Sequence, residues 1–180
     1  RVCTPADSLE LVAQLRQAIT EGKPTYIRIG KKGEPNVLEG KQNLGIGKAH
    51  ILKPGRKILL LGIGPILSEA LKASNELKHD GIEMGVASMG TIKPLDDQFL
   101  KDRIGEGYTH WISMEEHHKT GGLGSALLEW LSEHNSKNIQ LERIGIGDHF
   151  VHQLGSQNYV REAEDLSSAE VQRLARKAWN

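Results

Sequence analysis

The sequence lacks most of the features that would assign it to a compartment or to a macromolecular partner. Cys3 is the one cysteine among 180 residues, which excludes an internal disulfide and favours a reducing compartment over secretion. Basic and acidic residues number 23 each, so there is no surplus of positive charge for nucleic acid or anionic membranes. No apolar run approaches the roughly 20 residues that a membrane-spanning helix needs, and the first ten residues, RVCTPADSLE, contain no apolar signal segment. We therefore expect a cytoplasmic protein with no nucleic-acid or membrane partner.

The sequence of residues 1–34 predicts a strand, a helix and a second strand. In residues 7–21, DSLELVAQLRQAITE, an acidic pair at capping spacing precedes an apolar helical face made of Leu11, Leu15, Ala18 and Ile19. The flanking strands are predicted near residues 2–4 and over residues 25–29. A two-stranded unit cannot bury its own faces in water, so residues 1–34 are interpreted as the end of a larger domain.

This interpretation carries physical expectations for that unit. We expect unpaired strand edges and an uncovered apolar helix face, and either high mobility or pairing with another copy of the chain. The sequence does not begin with methionine, and we expect it to be part of a longer protein. Residues 35–48, within a stretch rich in glycine, lysine and asparagine, are predicted to be a linker.

Strands and helices alternate along residues 49–180. An edge strand is expected in KAHILKPG, and the apolar run KILLLGIG is typical of a buried parallel strand. The remaining strands are predicted in IEMGVAS, HWISMEE and IQLERIG. Helices are predicted in PILSEALKASNELKHDG, after KPLDD, in the segment opened by GGLGS and from Ser167 to about Trp179. This order predicts an α/β domain with a mostly parallel sheet and helices on both faces.

Two motifs suggest ligand sites but fit them poorly. The turn GIGPILSEAL follows a buried strand, as a dinucleotide-binding loop does, but Leu67 stands where the third glycine is needed, so a plain strand-to-helix turn is favoured. Residues 115–118, EEHH, are metal-ligand types, but adjacent residues at a strand end point to opposite sides and cannot converge on one ion. We expect a polar loop there and no metal site. His110, His149 and His152 are likewise expected to be structural or surface groups.

The glycines of TGGLGSALLEWL precede a clear apolar helical stripe. Gly121, Gly122 and Gly124 allow a tight turn and close approach of neighbouring groups, and a helix N-terminus can hold an anion. Because the lysine and serine of a phosphate-binding loop are absent, packing is the favoured interpretation. A second charge cluster, Arg28, Lys31 and Lys32 in YIRIGKKG, follows a strand; from spacing alone, a solvated loop is favoured over a phosphate site.

Taken together, six stretches resemble the thiamine-diphosphate-dependent transketolases and 1-deoxy-D-xylulose-5-phosphate synthases. They are PADSLEL, KPTYIRIGKKG, KILLLGIGPILSEAL, GIEMGVASMGTIKPLDDQFL, MEEHHKTGGLGSALLEWL and RIGIGDHFVHQLGSQ, in the family's order. The resemblance implies that residues 1–34 end a pyrimidine-binding domain and that residues 49–180 form a transketolase C-terminal domain. It also implies the fold, a three-layer α/β/α sandwich with a mixed sheet whose first strand is antiparallel.

The resemblance implies an enzyme of which this chain is the non-catalytic part. The whole enzyme would use thiamine diphosphate and Mg²⁺ to transfer a ketol or acyl unit between sugar phosphates, with catalytic residues in upstream domains or a separate subunit. Arg28 and Lys31 would contact the substrate phosphate, Lys31 replacing an arginine usual in the family. Glu116, His117, Gly121, Gly122 and Gly124 would form a structural loop at an interface, and the whole enzyme would be a homodimer. The chain alone would be inactive and would bind no cofactor.

Two alternatives remain open at this stage. The first is the C-terminal part of a 2-oxo-acid dehydrogenase of the β-subunit type, which would have no phosphorylated substrate. The second is a stand-alone binding or assembly module.

Overall fold

The computed structural model describes residues 1–30 and 33–179. The described strands are β1 (Val2–Cys3), β2 (Tyr26–Ile27), β3 (His50–Lys53), β4 (Ile58–Ile63), β5 (Gly85–Ser88), β6 (Thr91–Lys93), β7 (His110–His118) and β8 (Gln140–Ile146). The described helices are α1 (Ser8–Glu21), α2 (Leu67–Leu77), α3 (Asp97–Gly105), α4 (Leu123–Glu133), α5 (Gln157–Ala163) and α6 (Ser168–Trp179). Within these ranges, no helix is long and apolar enough to span a bilayer.

A mixed sheet of five strands forms the centre of the fold, in the order β3-β5-β4-β7-β8. Strands β5, β4, β7 and β8 run parallel, and the edge strand β3 pairs antiparallel with β5. The predicted edge strand and the antiparallel first strand are therefore confirmed.

Strand β4 is buried throughout because helices cover both faces of this sheet. Ile58 and Leu60 pack into one core with α2 and α6, whereas Leu59, Leu61 and Ile63 pack into a second core with α3 and α4. A strand buried on both sides needs continuous apolar sequence, which ILLLGI provides. The fold is the predicted three-layer α/β/α sandwich.

A second sheet of three strands, ordered β2-β1-β6, ties the beginning of the chain to the sandwich. Strand β1 pairs parallel with β2 and antiparallel with β6, with Val2 opposite both Tyr26 and Lys93. The expectation of unpaired edges in the first unit is therefore wrong for β1, and among residues 1–30 and 33–179 no strand pairs with the outer side of β2. The short strand β6 gave no signal of its own in the sequence.

Helix α1 begins after Asp7, as the capping pattern predicts, and ends at Gly22, which adopts the left-handed conformation (φ 61°). Its inner face is polar, with Glu10 and Gln14 completely buried, while Val12, Leu15 and Ile19 are exposed. These exposed apolar side chains are consistent with the expected apolar helix face, and its lack of a covering partner stays a prediction.

The segment predicted to be a linker has no helix or strand between Gly33 and Ala49, but it is firmly attached. The Asp7 carboxylate, through Oδ2, accepts hydrogen bonds from the backbone N–H groups of Val37 and Leu38, both at 2.8 Å. Its other oxygen, Oδ1, caps α1 at Leu9 and Glu10, both at 3.0 Å. Leu38 is fully buried in the sandwich core, so the segment packs as part of the fold. The division into two domains stays a prediction.

Candidate functional site

The strand order creates a crevice at the carboxyl ends of β4 and β7. After β4 the chain moves to β5 on one side, and it later enters β7 on the other side of β4. Ligands of open α/β sheets bind at such a reversal. A cleft of about 230 Å³ lies there, lined by Thr4, Arg28, Ile29, Gly30, Ile63, Gly64, Pro65, Glu116 and Gln157.

Arg28, one of the two predicted phosphate-contacting residues, lines this cleft. Strand β2 ends at Ile27, and the Arg28 backbone N–H donates to the carbonyl of Cys3 at 2.9 Å, which continues the pairing of β2 with β1. The Arg28 side chain is exposed. Within residues 1–30 and 33–179 no carboxylate forms a salt bridge with it. Lys31, the second predicted residue, lies outside the described residues.

The glycine-rich loop before α4 is built around a buried carboxylate. Glu115, which is 1% exposed, accepts hydrogen bonds from the backbone N–H groups of Leu123 at 2.7 Å and Gly124 at 2.8 Å. Burial raises the pKa of Glu115, and these two N–H groups act in the opposite direction. The N-terminus of α4, which is the place for an external anion, is therefore occupied by the protein's own side chain.

Close contacts explain two of the three glycines. A Cβ atom on Gly122 would lie well inside 3.0 Å of the Glu115 carboxylate, and one on Gly124 would lie 2.7 Å from Arg143 Cδ and 2.8 Å from Ser113 Oγ. Gly121 instead has a left-handed backbone (φ 79°). The close contacts support the packing interpretation of the loop.

The residues that follow Glu115 on β7 point in different directions. Glu116 Oε1 accepts hydrogen bonds from Arg161 Nε at 2.8 Å and Gln157 Nε2 at 2.9 Å, which attaches α5 to the end of β7. His117 is exposed, and its Nδ1 lies 2.8 Å from the carbonyl oxygen of His118. In the part of the chain that the structure describes, no cluster of three or more histidine, cysteine, aspartate or glutamate side chains has the arrangement of a metal site.

The turn after β4 also packs closely. A Cβ on Gly62 would lie 2.5 Å from Leu67 Cδ2, and a Cβ on Gly64, which has a φ of 81°, would lie 2.9 Å from Thr4 Cγ2. Leu67, which stands at the third glycine position of a dinucleotide loop, packs its side chain against Gly62.

These residues do not fit thiamine diphosphate and Mg²⁺. The described residues contain no cluster of metal-binding side chains, and the N-terminus of α4, where a diphosphate would bind, already holds Glu115.

Sequence reasoning missed two features near the cleft. Helix α5 was not predicted, because its seven residues, QNYVREA, are too few to show a helical period. The inward-facing Glu10 and Gln14 were missed because the apolar stripe on the opposite side of α1 dominates the pattern. Ser156 caps α5, but Tyr159 stands where a capping box has Glu or Gln. The capping pattern therefore did not reveal this helix.

The sequence profile described as "Transketolase, C-terminal domain" matches residues 47–164. The chain belongs to the transketolase C-terminal domain family. The predicted family is therefore confirmed, and the sandwich described above is its transketolase C-terminal fold.

Similar proteins include relatives of two kinds that carry this transketolase domain. The 1-deoxy-D-xylulose-5-phosphate synthase of Syntrophus aciditrophicus (strain SB) is 35% identical over 84% of this chain and 24% of its own length. The 6-deoxy-6-sulfo-D-fructose transketolase subunit SqwH of Clostridium sp. (strain MSTE9) is 31% identical over 97% of this chain and 53% of its own length. The chain thus spans about a quarter to about a half of these relatives.

Two solved transketolase structures also resemble this chain. A structure described as a split gene transketolase, inactive beta4 tetramer, superimposes with a TM-score of 0.88 at 30% identity, covering 98% of this chain and 57% of the other. A mutant transketolase from Pichia stipitis, at 19% identity, shares the fold with a TM-score of 0.71 over 98% of this chain and 25% of the other. The transketolase likeness extends over the first 30 residues as well as the sandwich.

Proposed function

We propose that this chain is the C-terminal part of a thiamine-diphosphate-dependent transketolase-type enzyme that transfers a two-carbon ketol or related acyl unit between sugar phosphates in the cytoplasm. In such an enzyme the bound cofactor supplies an electron sink for the carbanion of the transferred unit. Membership of the transketolase family supports the reaction class. In this proposal the residues of this chain bind and position the substrate, and the cofactor and Mg²⁺ are held by upstream domains or a separate subunit.

The observation that carries the substrate class is the placement of Arg28. Its side chain lines the cleft at the carboxyl ends of the central strands and has no carboxylate partner among the described residues. An arginine in a crevice binds a phosphate through paired, charge-assisted hydrogen bonds. We propose that Arg28, together with Lys31, contacts the phosphate of the sugar.

A structural role is proposed for the rest of the site. Glu116, His117, Gly121, Gly122 and Gly124 would shape a contact with a neighbouring domain or subunit, and the whole enzyme would be a homodimer. Support comes from the loop's rigid construction around Glu115 and from the exposed apolar side chains of α1. We expect the chain alone to be inactive.

A second candidate substrate is a sulfonated sugar. The relative that matches 97% of this chain is named as a transketolase subunit for 6-deoxy-6-sulfo-D-fructose. A sulfonate, like a phosphate, is an anion with three oxygens. An arginine at position 31 would favour phosphate through two parallel hydrogen bonds, whereas the lysine found there offers a point charge that suits either anion.

The test uses the whole enzyme, with this chain joined to its cofactor-binding part, and compares Arg28→Ala with Arg16→Ala. Arg16 is an exposed arginine on α1 and serves as the matched control. Loss of a charge-assisted contact of about 1.5–3 kcal/mol raises the KM of the anionic sugar roughly 10- to 150-fold. Comparing phosphorylated with sulfonated sugars then distinguishes the two candidates.

Other outcomes of this test favour the alternatives. An unchanged KM in Arg28→Ala favours a 2-oxo-acid dehydrogenase of the β-subunit type, because its substrate has no phosphate. A stand-alone module would show no activity with any cofactor-binding part. Turnover by the 180 residues alone would contradict the proposal that this part is inactive.

A further inference from the structure

The side of α1 that faces the sandwich holds a buried acid. Glu10 and Gln14, one helical turn apart, are both 0% exposed. Glu10 Oε2 accepts a hydrogen bond from the Ala6 backbone N–H at 2.7 Å. Glu10 Oε1 and Gln14 Oε1 have no hydrogen-bond partner among the described residues. Burying two acceptor oxygens without hydrogen bonds lowers the stability of the folded state.

The turn between β5 and β6 packs directly against these two side chains. The carbonyl of Gly90 accepts hydrogen bonds from the Thr4 backbone N–H at 2.9 Å and from Gln14 Nε2 at 3.1 Å. A Cβ on Gly90 would lie well inside 3.0 Å of Glu10 Oε1, and Gly90 has a φ of 60°. We call Glu10, Gln14 and Gly90 the latch, because they hold α1 and β1 against the sandwich.

We propose that Glu10 is held in the latch as a neutral carboxylic acid and that loss of its proton opens the latch, so that the docking of α1 on the sandwich depends on pH. A proton on Glu10 Oε1 would supply a donor at the place where both oxygens lack one. A protonated Oε1 is a hydrogen-bond donor, and Gln14 Oε1, one turn along the same face, is a buried acceptor that lacks one. Glu10 Oε2 keeps its hydrogen bond from Ala6.

The surroundings of Glu10 favour the neutral form. Burial raises the pKa of Glu10 to about 8, the Ala6 N–H lowers it, and the nearby Asp7 carboxylate raises it further. The other ionisable group that senses Glu10 is the buried Cys3 thiol on β1. The turn at Gly90, residues 88–91, has no ionisable side chain. No lysine or arginine of the described residues is among the groups that act on Glu10, so nothing there neutralises its negative charge.

The direction of the pH effect follows from linkage. When the latch opens, Glu10 meets water and its pKa returns towards 4.5. Between that value and about 8, the closed latch therefore binds one more proton than the open latch. Closure is strongest below pH 4.5, weakens by up to tenfold per pH unit as the pH rises, and reaches its lowest level above about pH 8.

The test measures hydrogen exchange by NMR on the full chain between pH 5 and pH 9, corrected for the intrinsic exchange rate. The reporter is the Thr4 amide, which donates to Gly90, and the reference is the Leu60 amide in β4. In the unmodified protein we expect the hydrogen-exchange protection of the Thr4 amide to fall by up to tenfold per pH unit up to about pH 8. In Glu10→Gln, whose side chain is neutral at every pH, we expect this protection to be independent of pH. Gly90→Ala should lower the protection of Thr4 at every pH.

Several results would overturn the latch. The first is a protection of the Thr4 amide that does not change with pH in the unmodified protein. The second is the same pH dependence of that protection in Glu10→Gln. The third is a Thr4 protection equal to that of Leu60 at each pH, which would mean that exchange occurs through global unfolding. If Glu10→Gln does not fold, the carbon chemical shift of the Glu10 carboxyl decides the question, and titration near pH 4.5 contradicts the proposal. The latch does not rest on the proposed function, and its test needs no substrate or cofactor.

Discussion

Replacing Gly122 with alanine tests the construction of the loop before α4. The backbone of Gly122 is extended, with a φ of −96° and a ψ of −157°, so alanine introduces no backbone strain. Its methyl group, however, would lie well inside 3.0 Å of the Glu115 carboxylate. The carboxylate has no free space because it sits between β7 and the N-terminus of α4, hydrogen-bonded to Leu123 and Gly124.

The size of the effect follows from the bonds that are displaced. A hydrogen bond to a charged group contributes about 1.5–3 kcal/mol, and moving Glu115 weakens two such bonds. We expect Gly122→Ala to lower the free energy of unfolding by about 2–4 kcal/mol. For a domain of this size each kcal/mol shifts the melting temperature by roughly 2–4 °C. Urea unfolding, followed by circular dichroism and by the fluorescence of the three tryptophans, measures this loss of stability.

Two further variants separate the clash from other effects. Gly105→Ala is the matched control, because a Cβ there meets no atom within 4 Å; it should be neutral or stabilising by about 0.5–1 kcal/mol. Adding Glu115→Ala to Gly122→Ala removes the group that the methyl touches, so the double variant should cost less than the sum of the single variants by more than about 1 kcal/mol. Additive losses, or a Gly122→Ala as stable as Gly105→Ala, would refute the reasoning.

Two other substitutions test the first thirty residues. Asp7→Ala removes the cap of α1 and the anchor of Val37 and Leu38 together and should cost about 2–4 kcal/mol in urea unfolding; Asp7→Asn keeps one acceptor oxygen and should cost less. An alanine variant as stable as the asparagine variant would contradict the anchoring role. Ile19→Glu changes a side chain that is 72% exposed and should leave stability within about 0.5 kcal/mol. The same substitution should reduce self-association in sedimentation experiments relative to the neighbouring exposed control Thr20→Glu, and equal association of the two variants would argue against an apolar contact through α1.

The sandwich could be predicted from the sequence because each of its elements carries a local signal. The run ILLLGI reads as a strand that is buried on both faces, and the apolar stripe from Leu123 to Leu131 reads as a helix that covers the sheet. The antiparallel edge strand was expected from the family resemblance.

The parts that escaped prediction depend on contacts between distant residues. Strand β6 has three residues and becomes a strand only by pairing with β1. The inward face of α1 is polar, and its Gln14 donates a hydrogen bond to the carbonyl of Gly90, which is 76 residues away in sequence. The periodicity of the helix cannot predict such a distant contact. For the candidate site, the close contacts of the glycine turn before α4 support its interpretation as packing, but its partner Glu115 emerged only from the fold. The roles of Arg28 and Lys31 stay predictions.

The pairing of Val2 with Lys93 has a consequence for the order in which the molecule forms. Strand β1 lies between two neighbours, and one of them, β6, is made only after the linker, β4, α2 and β5 have emerged from the ribosome. Contacts between residues so far apart form late, because a long loop has to close first. Until then the polar inner face of α1 and the side of β1 that pairs with β6 are open to other chains. Residues 1–30 are thus among the last of the described residues to reach their final place, and nascent chains are most exposed to misassembly during that interval.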